Sequence, residues 1–145
     1  MSTAVTALVD TGAWYALAAS DDRHHEAATS FYLSQQGRLR WVTTDLIAAE
    51  TWSLLNGRMG RAGAIRFWES LRRLQVPIVA LDPVDLEAAW QIACAWSDQD
   101  FSLTDCTSFA LMERLGITQA FAFDHHFLIY RYGAERRHAL HRLPR

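Results

Sequence analysis

The chain has 145 residues, half of them hydrophobic, and a formal net charge of -2. That length and apolar content suit one domain, spanning 1–145, with a substantial core. The balance excludes a protein held to nucleic acid by overall charge, and two cysteines, Cys94 and Cys106, exclude a disulfide framework and match no metal-ligand spacing. A reduced, cytoplasmic protein is therefore expected. The N-terminus lacks a basic region, and its apolar run is too short for a signal peptide or a membrane span.

Residues 4–9 are apolar and β-prone and stop at Asp10-Thr11-Gly12, which predicts a buried strand. A short helix follows from Trp14 to Ala19, then a turn at Asp21-Asp22-Arg23. A helix is predicted from His24 or His25 to Gln36, closed by Gly37, and a second strand over Leu39–Thr43. Thr43 or Thr44 then caps a helix to Asn56, with Leu46, Ile47, Leu54 and Leu55 as its apolar positions. Another helix runs from Gly60 to Leu74, and Pro77–Leu81 forms a third strand. Asp82-Pro83 opens a helix to about Trp96. Ser102 and Asp105 have the form of a capping box for a helix whose Phe109, Met112 and Leu115 share one face and which Gly116 stops. A strand at 119–123, a short helix near 125–131 and an edge strand around 138–143 complete the chain. Strands alternating with helices imply a parallel sheet with helices on both faces, the carboxyl ends of its strands sharing one edge.

Several acids fall where that edge is expected. Asp10 and Asp124 each close a strand, and Asp105 lies in the first turn of a helix. Helix capping alone accounts for any one of the three. Glu50 is harder to explain so simply. It lies three residues after Ile47 and four before Leu54, on or beside an apolar stripe where a lone carboxylate is costly unless an arginine pairs with it. Carboxylates gathered from separate elements repel one another unless a cation joins them. Oxygen-only ligands suit Mg²⁺ or Mn²⁺. His24-His25 reads as a surface or supporting pair, and His125-His126 as a partly exposed helix face. The tryptophans read chiefly as core or dimer surface, with base stacking as a lesser role for Trp14. Every basic residue is Arg, and the stretch from about 131 carries Arg131, Arg136, Arg137, Arg142 and Arg145 against the single Glu135. That stretch reads first as a solvated charged tail and second as a phosphate contact.

The set Asp10-Thr11, Glu50, Ser102-x-Thr104-Asp105 and Phe123-Asp124-x-His126-Phe127 resembles the PIN domain family, in particular VapC-type ribonuclease toxins, over about residues 5–133. The resemblance implies a three-layer α/β/α sandwich with a central parallel sheet. It implies hydrolysis of RNA phosphodiester bonds dependent on Mg²⁺ or Mn²⁺, a small VapB-like antitoxin partner that covers the site, and commonly a homodimer. Asp10, Glu50, Asp105 and Asp124 match the family's acidic quartet. Thr11 and Thr104 match hydroxyl positions beside it, with a supporting or phosphate-contacting role. Under this resemblance Asp10, Asp105 and Asp124 hold the metal, and Glu50 orients the attacking water or holds a second ion. His125 stands where relatives often have Arg.

Rival classes fit less well. A phosphoacceptor receiver domain and a haloacid-dehalogenase-like phosphatase both need a lysine that this chain does not have. A dinucleotide-binding module needs a glycine fingerprint after the first strand, where this chain has Asp10-Thr11-Gly12. A DNA nuclease of related fold usually carries extra segments. A non-catalytic RNA- or protein-binding module of the same fold is the alternative, and it would be expected to have lost at least one acid.

Overall fold

A computed structural model describes residues 4–145. Met1, Ser2 and Thr3, the start of the run read as too short for a signal peptide, lie outside the described residues. Strand β1 (Val5–Val9) leads into α1 (Thr11–Ala18) and α2 (His25–Ser34). Strand β2 (Leu39–Thr44) then runs into α3 (Asp45–Arg73). Next come β3 (Ile78–Val79), α4 (Pro83–Ala95), α5 (Leu103–Leu115) and β4 (Gln119–Phe121). The chain ends with α6 (His126–Ile129), β5 (Arg131–Tyr132), a short 3₁₀ turn, β6 (His138–Ala139) and β7 (His141–Leu143).

Five strands form one sheet in the order β3-β2-β1-β4-β7, with every pairing parallel. The predicted edge strand is thus β7, and β5 with β6 forms a separate antiparallel pair. The order matters for function. From β1 the chain moves one way to β2 and β3, then returns past β1 to place β4 on its other side. Right-handed crossovers therefore lay the first helices on one face of the sheet and α4 and α5 on the other. The reversal falls between β1 and β4, the kind of position where open α/β sheets bind ligands outside the carboxyl ends of the strands. In register, Val9 faces Phe121, so the residues just past them emerge side by side.

The core explains why the elements stay in place. Leu8 and Val9 of β1, Ile47, Leu55 and Leu71 of α3, and Phe109 and Met112 of α5 are fully or almost fully buried, as are Phe121 and Phe127. Thr43, also buried, accepts a hydrogen bond from Trp14 Nε1 at 3.2 Å and donates to the Val9 carbonyl at 3.2 Å. Trp14 is therefore a core residue and not a base-stacking surface. Asp85 of α4, buried, is gripped by Arg114 of α5 through two bonds of 2.6 and 2.9 Å. This pairing holds the Asp85 carboxyl below the usual carboxylate range and locks α4 to α5.

The two helices predicted over 44–74 run on as one hydrogen-bonded element, broken at Gly60, whose φ of 78° and ψ of 173° are not helical. Space is not the constraint, since a Cβ there meets nothing within 4 Å. Backbone strain is. Gly60→Ala is expected to cost about 1–3 kcal/mol of stability in urea unfolding. A neutral or stabilising result would mean that the break straightens freely.

Candidate active site at the carboxyl edge of the sheet

Asp10 follows the last residue of β1 and stands at the N-cap position of α1, yet its side chain makes no capping hydrogen bond. Capping is thus not what its carboxylate does. Its backbone N–H donates to the Phe121 carbonyl at 3.0 Å, which fixes it to β4, and it is only 5% exposed. Thr11 beside it is buried, and its hydroxyl finds no hydrogen-bond partner among the described residues.

Asp105 does cap. Ser102 and Asp105 form the predicted capping box, with the Ser102 N–H donating to Asp105 Oδ2 and the Asp105 N–H donating to Ser102 Oγ, both at 3.0 Å. Gly116 closes the same helix in the left-handed conformation, as its position implies. Thr104, one residue before Asp105, donates its hydroxyl to Glu50 Oε2. Glu50 is carried there by α3, whose start is fixed by Thr44 Oγ1 accepting from the Ile47 N–H at 3.0 Å. The buried stripe of that helix is Ile47, Ala48, Thr51 and Leu55, and Glu50 lies beside it on an exposed flank. Burial therefore does not demand a partner for Glu50. Its bond to Thr104 is a choice of geometry.

Asp124 lies three residues beyond β4 and accepts the His126 backbone N–H on Oδ1 at 2.9 Å. The His126 ring turns back between two acids. Its Nδ1 is 2.8 Å from Asp105 Oδ2 and 3.3 Å from Asp124 Oδ1, and its side chain is 14% exposed. This corrects the expectation of a partly exposed helix-face histidine. His125 fits that expectation better: its side chain is 72% exposed and sits 3.6 Å from Asp124.

The other acids act on Asp10. Burial first, then the charge of Asp105, push the Asp10 carboxyl up to about 7; the Thr11 backbone pulls the other way, and the charges of Asp124 and Glu50 add smaller pushes. Asp105 is raised as well, chiefly by burial, although the Ser102 N–H and His126 pull the other way. Among the described residues none of the four is paired with an arginine. Asp10 and Asp105 are buried, Asp124 is partly exposed and Glu50 exposed, and among the described residues the ligand-type atoms that lie within 4.8 Å of one another are those of Asp124, His125 and His126. Carboxylates in electrostatic reach of one another without an arginine suit a hard divalent cation.

The electrostatics carry a sign. Asp10 and Asp105 both hold a proton more readily folded than unfolded; the contribution of Asp10 is full below about pH 4 and is lost as pH rises through about 7, and that of Asp105 changes in the same direction. Metal-free protein should therefore lose thermal stability between pH 5 and 7.5, at no more than about 1.4 kcal/mol per pH unit for each group. Added Mn²⁺ should raise Tm more at pH 7.5 than at pH 5. A flat metal-free profile would contradict the site's charge balance.

Sequence reasoning left three supports without a place. Arg142 of β7 donates to the Phe123 carbonyl at 3.0 Å, so one arginine of the expected solvated tail buttresses the segment carrying Asp124. His24 stacks on Phe123 at 4.3 Å between ring centres, which lays the turn before α2 against the same segment. His126 is the third. Its one sequence signal was its place two residues after Asp124, and helical spacing alone could not say which way its ring turns.

Residues 7–133 match the PIN domain family. The match covers most of the chain, and the chain belongs to that family. Among characterised proteins it is similar to the 23S rRNA-specific endonuclease VapC20 of Mycobacterium tuberculosis, 35% identical over 120 residues that span 82% of this chain and 89% of the relative. The crystal structure of M. tuberculosis VapC20, described as a sarcin-ricin loop cleaving toxin, aligns with a TM-score of 0.74 at 32% identity, covering 81% of this chain and 89% of that one. PAE2754 from Pyrobaculum aerophilum shares the fold at a TM-score of 0.56 and 21% identity, over 88% of this chain and 86% of that one. No helix among the described residues is long and apolar enough to cross a membrane.

Proposed function

We propose that this chain is a divalent-metal-dependent endoribonuclease, the toxin of a toxin–antitoxin pair, acting in the cytoplasm as a single domain. The observation that carries the reading is the family match together with 35% identity to a 23S rRNA-specific endonuclease. What further supports it is that Asp105, Asp124 and Glu50 all lie within electrostatic reach of the buried Asp10, with no arginine paired to any of the four among the described residues. The substrate class is RNA, with a stem-loop of the large ribosomal RNA as the first target to test. The partners are a small VapB-like antitoxin and, for the active form, a second copy of the chain.

In this mechanism Asp10, Asp105 and Asp124 hold Mg²⁺ or Mn²⁺. When bound, such an ion neutralises charge building on the scissile phosphate and makes a water easier to deprotonate. The remaining work belongs to the chain. Glu50 accepts the proton of the attacking water, and the Thr104 hydroxyl, donated to Glu50 Oε2, fixes the carboxylate that does so. The Thr11 hydroxyl is buried and has no partner among the described residues, which suits a supporting role beside Asp10 rather than direct contact with a phosphate. Arg142 and the His24–Phe123 stack keep the Asp124 segment rigid while substrate binds.

Incubating purified protein with intact ribosomes and with naked large-subunit rRNA, in Mg²⁺, in Mn²⁺ and in chelator, tests the proposal. Cutting at a discrete site that stops in chelator is the expected result. Cutting that persists in chelator, or RNA left intact with either metal, would reject it.

A further inference from the structure

We infer that His126 is a positioning residue that sets which oxygen each of two metal-binding acids presents. The inference rests on the proposed function, since it concerns the metal that Asp105 and Asp124 are proposed to hold. It comes from one residue making two bonds to two different elements. The His126 backbone N–H holds Asp124 Oδ1 at 2.9 Å, and its ring Nδ1 lies 2.8 Å from Asp105 Oδ2 and 3.3 Å from the same Asp124 Oδ1. Asp124 follows β4, and Asp105 opens α5. His126 thus joins the strand side of the site to the helix side.

The hydrogen-bond roles follow from what the oxygens already do. Asp105 Oδ2 accepts from the Ser102 N–H at 3.0 Å, and Asp124 Oδ1 accepts from the His126 N–H. Both are engaged as acceptors, so the ring nitrogen facing them is the donor, and Nδ1 carries the hydrogen. The ring cannot swing away easily. Phe101 stands edge-on at 5.1 Å between centres, and the His125 ring is tilted against the His126 ring at 4.4 Å. Oδ2 of Asp105 and Oδ1 of Asp124 are thereby committed to the protein. The other oxygen of each acid makes no hydrogen bond among the described residues and is the one left for a cation. Outer-shell bonds of this kind orient metal-binding carboxylates and commonly carry tenfold to hundredfold in metal affinity.

The experiment compares wild type with His126→Ala and His126→Asn. Alanine keeps the backbone bond to Asp124 and removes the ring donor. Asparagine returns an N–H close to the Nδ1 position. Mn²⁺ affinity is read by calorimetry or by loss of the free-ion electron paramagnetic resonance signal, and Tm is measured without metal in parallel. The expected result is about tenfold to hundredfold weaker Mn²⁺ binding in His126→Ala and recovery to within a few-fold in His126→Asn. Equal affinity in wild type and His126→Ala would overturn the inference and leave the nuclease proposal standing, whatever the change in Tm. Loss in His126→Asn as large as in His126→Ala would overturn it too, most directly if bound Mn²⁺ in wild type shows coupling to a nitrogen, which would make His126 a ligand itself. A wild type that binds no Mn²⁺ would overturn both this inference and the function it rests on.

Discussion

Asp10→Asn is expected to reduce metal-dependent RNA cleavage by about three decades or more while leaving the chain folded. The size follows from what a metal-binding carboxylate supports: several kcal/mol of charge stabilisation at the scissile phosphate, at about 1.4 kcal/mol per tenfold in rate. The direction of the stability change sets this prediction apart from a simple unfolding defect. Asp10 is buried beside three other acids, and its carboxyl is pushed up to about 7. Asn removes that charge at nearly constant shape. Metal-free Asp10→Asn should therefore melt at or above the metal-free wild type at pH 7.5, and should lose the rise in Tm that Mn²⁺ gives the wild type. Cleavage within tenfold of wild type in saturating Mn²⁺ would mean that Asp10 is not part of the metal-binding set.

Phe109→Ala should be the most damaging single change to stability among the core positions around the site. Phe109 is fully buried on α5, one turn beyond Asp105. Its ring stacks on Tyr130 at 4.3 Å between centres with the planes 1° apart, and it meets Phe101 and Phe127 edge-on at 5.2 and 5.1 Å. These contacts tie α5 to α6 and to the segment before the capping box, the neighbours that hold Asp105 and His126 in place. A cavity of this kind costs about 3–5 kcal/mol. Against a total of about 5–15 kcal/mol for a domain, that removes a large share of the stability. The expected readout is a drop in Tm of about 10 °C or more with cleavage activity partly retained at low temperature. A loss below about 1 kcal/mol would show that the aromatic cluster repacks around the gap.

The order of elements was legible because its signals are local. The Ser102–Asp105 capping box, the stop at Gly116 and the Asp82-Pro83 opening each depend on a few adjacent residues, and each appears where the sequence puts it. The neighbour relation of β1 and β4 was not legible, since strand order depends on contacts distant in sequence. It is the relation that sets Asp10 beside the segment bearing Asp124. Glu50, read as on or beside the buried stripe, lies beside it, and spacing could not choose between the two for a related reason. Helical spacing fixes a residue's angle around the axis only to within the width of the buried stripe, and Glu50 falls on the flank. His126 escaped because its ring direction is set by Asp105, which is 21 residues away in the sequence. Trp14 was placed in the core, and its bond to Thr43 fixes it there.

The reversal of strand order at β1 has a consequence for how the protein is made. Asp10 leaves the ribosome early, but its neighbour across the sheet edge belongs to β4, and Asp124 comes later still. A nascent chain that has folded β1, β2 and β3 holds Asp10 and Glu50 and neither of the other two acids. Under the proposed function, the four acids are all present only once nearly the whole polypeptide has been made, and a chain cut short before Asp105 is expected not to cleave RNA.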